Sequence, residues 1–321
     1  MHLTRRRMLR LTGAVAAGAA LPARAQDLPA RSLRILVGTA PGGSPDIISR
    51  LLADKMTDRI GQSIYIENNT SGGGTVALTT VSRATPDGTS LAMMTAGYAS
   101  GVAVGKFTHT QNSFSYLTMV CGYPMVYSVA PNSPIKSFAD LLARAKAEPG
   151  KITYTITSLG SVYHLLGKWV DMQAGTNMVP IPYRGAAPGV TDVLSGRVDV
   201  MLETATSGFP RIHNKQLRVL AITAPKRYEL MPDAPLVAET LPGVACMSWL
   251  GLVTAPQTPR PIVDRLNAEI LRALGLPDVK QRLADGGNVA TPTTPEEMSR
   301  RIEDEIARWK QIVVANNIKV E

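Results

Sequence analysis

The chain holds only two cysteines and four histidines in 321 residues, and aromatic side chains make up 5% of it; these shortages remove whole classes of function. Cys121 and Cys246 lie in apolar segments far apart, which excludes a CxxC redox or zinc pair and leaves two buried thiols or one disulfide as alternatives. His109, His164 and His213 have no H-x-x-x-H or H-x-C spacing, so no metal or cofactor is expected and a metalloenzyme lacks its ligands. There is no Walker loop, no G-x-G-x-x-G after a strand and no G-x-S-x-G elbow. Lysine and arginine form no cluster with interleaved aromatics, which argues against nucleic acid. Beyond the first 25 residues no run reaches the roughly 18 apolar residues a membrane span needs. A hydrophobic fraction of 45% with few low-complexity runs argues against a flexible, nonenzymatic scaffold.

What is present begins with a leader. Residues 1–25 read as an export signal: basic Arg5, Arg6, Arg7 and Arg10, a weakly apolar Ala/Gly-rich stretch, then a small-residue site with cleavage expected after Ala25. The segment from Thr4 to Arg10 resembles the twin-arginine signal, with an ordinary secretory leader as the alternative. The expected location is therefore the periplasm. The leader carries five of the 34 basic residues and none of the 25 acids, so the mature chain has 29 minus 25, a net +4. That mild excess suits a small anion.

Runs rich in Val, Ile and Leu alternate with helical patterns, the signature of parallel sheets covered on both faces. Strands are expected at 33–37, 63–66, 90–94 and 116–120, then again at 126–129, 152–156, 179–183, 198–202, 217–222 and 249–253. Helices are expected to start near Ser44, Gly74, Ser161 and Ala187. Two more close the chain, one over 261–274 ending at Gly275 and one opened by the capping box of Thr294 with Pro295 at its first position. Two βαβ lobes of this kind face each other across a crevice, and such sheets bind ligands beyond the carboxyl ends of their strands.

The PGGSPD stretch from Pro41 to Asp46 stands at one such end. Ser44 fits an N-cap, Pro45 the first helical position, and Gly42 and Gly43 let backbone amides approach a ligand without a Cβ in the way. Amides at a helix N-terminus attract carboxylate or phosphate. A tight, well-capped turn without a ligand is the alternative for this loop alone. Similar loops recur at N68–T75, T157–H164 and Y183–G189, so four helix starts are expected to converge between the lobes.

Over essentially all of its mature length the chain resembles the tripartite tricarboxylate transporter receptor family, also called the Bug family. The residues that carry the resemblance are PGGSPD, the E67-N…G-G element and PDGT from Pro86 to Thr89. In the second half they are A147-E-P-G150, the S161-x-x-H-L element, PYRG from Pro182 to Gly185, G196-R-V-D199 and S248-W-L-G251. The resemblance implies an α/β, two-lobed periplasmic binding protein of type II-like architecture. Its two βαβ domains would be joined by hinge strands near residues 121–129 and 249–254, with the ligand cleft between them. Lobe 1 is expected over 26–123 plus 249–321 and lobe 2 over 124–248. The implied function is an extracytoplasmic solute receptor, not an enzyme, that binds a small carboxylate for a two-component membrane permease; a monomer is expected. Asn69 and Thr70 stand where the family has arginine and proline, and Ser158 and Leu159 where it favours glycine and asparagine. These departures bear on ligand identity.

Carried over by position, ligand contacts are expected from Pro41, Gly42, Gly43, Ser44, Asp46 and Gly73 in the first half, with Tyr98 closing over the ligand or packing between lobes. In the second half they are expected from Thr157, Ser158, Gly160, Ser161, His164, Tyr183, Arg184 and Gly185. Asp46 would orient loop amides, reach the ligand through water, or serve only as an N-terminal charge. Arg184 has the planar fork that matches a carboxylate, or is a surface arginine. Glu203, on the opposite lobe, would favour an amino or hydroxyl group on the ligand, or lie on the exposed rim. His164 follows Ser161 by three residues and reads as a structural histidine bonded to loop backbone; the alternative is an exported hydrolase using Ser161 and His164, for which no orienting acid is in place.

Overall fold

The computed structural model describes residues 28–319. The expected leader and its cleavage point lie outside them. The first half runs β1 (Leu33–Val37), α1 (Ser44–Ile60), β2 (Ile64–Asn68), α2 (Thr75–Ser82), β3 (Ser90–Thr95), α3 (Gly97–Ala103) and the long β4 (Ser115–Val129). The second runs α4 (Phe138–Ala147), β5 (Thr153–Ile156), α5 (Val162–Ala174), β6 (Val179–Pro182), α6 (Ala186–Leu194), β7 (Met201–Thr204), α7 (Ala205–His213), β8 (Arg218–Ile222) and α8 (Val237–Thr240). Then β9 (Met247–Thr254), α9 (Arg260–Gly275), α10 (Pro277–Asp285), β10 (Val289–Ala290) and α11 (Pro295–Ala315) complete it.

Both lobes use one strand order. In the first, β2, β1 and β3 are parallel neighbours, β9 inserts antiparallel beside β3, and β4 follows, edged by β10. In the second, β6 and β5 are parallel, and β5 reaches the start of β7 through the parallel bridge from Tyr154 to Val200. There β4 inserts antiparallel between β7 and β8. Each sheet therefore accepts a strand running against its own direction, and a single strand, β4, belongs to both. The chain is a two-lobed α/β fold.

Two strand expectations are corrected. Residues 116–120 and 126–129 are parts of one continuous strand, because Gly122 and Pro124 do not break it. Pro124 pairs with Met247 of β9 and Met125 with Thr204 of β7, so the missing proline N–H falls where the strand changes partners. The strand expected over 198–202 is observed at Met201–Thr204. Arg197 and Val198 instead donate their amides to Asp192 O at the end of α6, and the Asp199 carboxylate accepts from Thr153 N at 2.8 Å.

Alternation along β1 explains the layering. Ile35 and Val37 face a core with Ile48, Leu52 and Met56 of α1 and Leu266 and Ile270 of α9. Leu36 faces the other side, where α2, α3 and α11 pack with Trp249. The capping box of α11 is present as expected, with Thr294 accepting from Glu297 N and Glu297 accepting from Thr294 N. That helix ties the halves together: Trp309 meets Trp169 of α5 edge-on at 6.0 Å. The Glu305 carboxylate accepts from the indoles of Trp249 (2.7 Å) and Trp309 (3.0 Å). Where chain segments cross between lobes, buried Thr223 binds both. Its hydroxyl accepts from Met125 N (2.9 Å) and donates to Cys246 O, while Cys246 N donates to its carbonyl (2.8 Å). Cys246 is thus held by the second lobe, and Trp249–Thr254 lies wholly in the first sheet. Both cysteines are free and buried.

Candidate ligand-binding cleft

A cleft of about 810 Å³ opens among the carboxyl ends of the parallel strands. Thr39, Thr95, Thr157 and Thr204, at or just past the ends of β1, β3, β5 and β7, all line it. These four strands are equivalent pairs in the two sheets, so the threonines line the cleft from both sides. The Thr39 hydroxyl is buried without a hydrogen-bond partner.

Glycine shapes the first wall. A methyl group on Gly38 would sit 2.7 Å from Gly74 Cα, so two backbones touch here and only glycine fits. Gly72, Gly73 and Gly74 all have left-handed φ (59°, 64° and 89°) and lead into α2. A methyl group on Gly73 would lie 3.0 Å from Lys106 Nζ. Beneath, Tyr98 is buried against Phe107 (centroids 5.5 Å apart) and Phe114 (6.0 Å), and burial pushes its hydroxyl pKa up to about 12.

The second wall is the start of α5. Ser161 is its N-cap, accepting from His164 N; the Ser161 hydroxyl donates to Ser158 O at 2.6 Å. His164 Nδ1 accepts from Gly160 N at 3.1 Å, and burial holds the imidazole pKa below its usual range. The ring therefore braces the loop, and Ser161 gives its proton to a carbonyl rather than to the imidazole. Val162 and Tyr163, first and second in the helix, have amides with no carbonyl available within it, and both residues line the cleft.

The acids near the cleft are turned away from it. Asp46 is buried and accepts from Gly42 N (2.9 Å) and from Arg50, which holds its carboxyl below the usual range. Asp46 thereby orients the loop amide and consumes it. Gly43, not Ser44, is the N-cap of α1, because Asp46 at the third helical position reaches back to the loop; Gly43 N itself donates to Ala40 O. Glu203 is not on an exposed rim: it is 2% exposed, paired with Arg211 of α7, and burial raises its pKa. Thr204, not Glu203, lines the cleft.

Of the expected residues, the structure brings Gly73, Tyr98, Thr157, Ser158, Gly160 and Ser161 to the cleft. Pro41, Gly42, Gly43, Ser44 and Asp46 lie beside it rather than in its lining. Tyr183 donates its hydroxyl to Asp192 (2.7 Å), and exposed Arg184 and Gly185 also stand outside. Sequence reasoning missed Thr39, Gly74, Lys106, Phe107, Tyr123, Thr204 and Ser248. A threonine at or just past the ends of β1, β3, β5 and β7 is the available signal; Lys106 has none, since only the fold carries it back over Gly73. Among the described residues no cluster of His, Cys, Asp or Glu could hold a metal, and no helix is long and apolar enough to cross a membrane.

The geometry agrees with known proteins. A protein encoded in the tcbD–tcbE intergenic region of Pseudomonas sp. strain P51 is 31% identical over 98% of this chain and 95% of its own length. The malate-bound MatC structure from Rhodopseudomonas palustris is 28% identical, covers 89% of this chain and 99% of its own, and superposes with a TM-score of 0.76. An adipate-bound R. palustris protein is 28% identical over 91% and 99%, with a TM-score of 0.77. The sequence profile described as the tripartite tricarboxylate transporter family receptor matches residues 48–318. With that span matched and the two-lobed cleft in place, this chain belongs to the tripartite tricarboxylate transporter receptor family.

Proposed function

We propose that this chain is a periplasmic solute receptor that closes around a small carboxylate and presents it to a two-component membrane permease, performing no chemistry itself. One observation carries the reading: the cleft is lined by glycine backbone, hydroxyls, a helix start and one lysine, with no carboxylate in its lining. Such a surface attracts a small anion and offers no general base. Malate and adipate, held by the related R. palustris proteins, are of that class. The lobes, taken as 26–123 plus 249–321 and 124–248, would swing about the crossing segments beside Thr223, and a ligand would shift the population toward the closed form. Closure would bring Arg184 and the Pro41–Ser44 loop, which stand outside the lining, toward the bound anion. The hydrolase alternative loses support because the Ser161 hydroxyl and His164 Nδ1 each have another partner.

A thermal-shift screen tests the reading. Di- and tricarboxylates should raise the unfolding midpoint, by an amount equivalent to about 2.7 kcal/mol at a hundredfold excess over Kd, while the matching uncharged amides should not. Equal stabilisation by acids and amides would refute it. Turnover of a nitrophenyl ester that disappears in Ser161→Ala would favour the enzyme.

A further inference from the structure

Lys106 is the one charged residue among those lining the cleft, and it pairs with no carboxylate among the described residues. Its place is set by the fold. The amides of Lys106 and Phe107 both donate to Gly101 O, at 2.8 and 3.2 Å, folding the segment after α3 back on that helix. Phe107 then packs against the Tyr98 and His109 rings, and it can do so only because residue 101 is glycine: a methyl group there would lie 2.1 Å from the Phe107 ring. The ammonium comes to rest over Gly73, in the middle of three successive left-handed glycines. The Gly73 amide is taken by Thr70 O at 3.1 Å, so the positive charge on this wall comes from the lysine ammonium itself.

The first wall thus has its own anion-attracting point, separate from the start of α5 on the second wall. Leu78, Val104, Phe107 and Leu159 supply apolar lining in the same cleft. From this arrangement we infer that Lys106 is a specificity-determining residue: it receives a second carboxylate, so the cleft selects dicarboxylates with an apolar middle over monocarboxylates of equal length. The inference rests on the carboxylate-receptor reading above.

Calorimetry on the whole mature protein tests it, with succinate, adipate and suberate each set beside butyrate, hexanoate and octanoate. The best diacid should bind at least about tenfold more tightly than its matched monoacid, the range expected of a hydrogen bond between charged groups. Lys106→Met should bring the diacid down to the level of the monoacid, and Lys106→Arg should restore part of the difference. An unchanged diacid-to-monoacid ratio in Lys106→Met overturns the inference and leaves the receptor reading standing. Equal weakening of both acids does the same, since it marks a general field effect. Failure of the parent to bind any of the six acids overturns both.

Discussion

Replacing Ser158 by aspartate sets binding and folding against each other. Ser158 is exposed in the cleft, three positions before the N-cap of α5, and it is its carbonyl that holds the Ser161 hydroxyl at 2.6 Å. A carboxylate there would stand within about 5 Å of an anion bound at the helix start. At an effective dielectric of about 20 the repulsion is about 3 kcal/mol, which corresponds to about two-hundredfold in Kd. Screening at physiological salt reduces this, so a loss of at least about tenfold is expected. For the fold the sign is opposite. A negative charge at the N-terminus of the 13-residue α5 should add about 0.3–1 kcal/mol. Calorimetry and urea unfolding on Ser158→Asp, with Ser158→Asn as the neutral control of similar size, separate the two. Carboxylate affinity in Ser158→Asp within about threefold of the parent would refute the electrostatic account of the cleft.

Three further outcomes are expected. Gly167→Ala should cost about 1–3 kcal/mol in urea unfolding, because the added methyl would lie 2.2 Å from the hydroxyl of fully buried Tyr154. Arg211→Met strands the buried Glu203 carboxylate and should cost about 3–5 kcal/mol; Glu203→Gln in the same chain should recover most of that, as a double-mutant cycle would record. His164 has a folded pKa depressed by burial, so the unfolded chain takes up its proton first. Its contribution to stability is complete above its ordinary pKa near 6.5 and is lost as pH falls from there through the folded value. Between pH 7.5 and 5 the urea midpoint of the parent should therefore fall more than that of His164→Gln, and parallel profiles would contradict the buried neutral imidazole.

Most elements are legible because each carries a local cause: Val/Ile/Leu runs for the central strands, Thr294 and Pro295 for α11, Ser161 for α5. The misreadings share a different cause, which is long-range pairing. Pro124 looks like a break until β4 is seen to change partners there, and Val198 looks like strand until Asp192 and Thr153 claim the neighbouring polar groups. The site divides the same way. The α5 loop is readable because its glycine, serines and helix start are contiguous. Lys106 is not, since its relation to Gly73 depends on a turn-back fixed by Gly101 and an aromatic cluster. The PGGSPD loop is readable as a helix start and Asp46 as a group that orients its amides; which amide it takes, that of Gly42, follows from side-chain reach, which spacing does not reveal.

The exchange of antiparallel strands has a consequence for how the molecule can be divided. A cut between Tyr123 and Pro124 severs β4, and a fragment made from residues 124–248 keeps only the second part of it, the part that pairs with β7 and β8. The complementary fragment keeps the part of β4 that pairs with β9 but falls into two unlinked pieces, since residues 124–248 join β4 to β9 along the chain. Neither half is a module that can be lifted out, transplanted or produced on its own with its edges intact. Heating the intact protein should accordingly yield one calorimetric endotherm, and limited proteolysis should release no long-lived half-molecule.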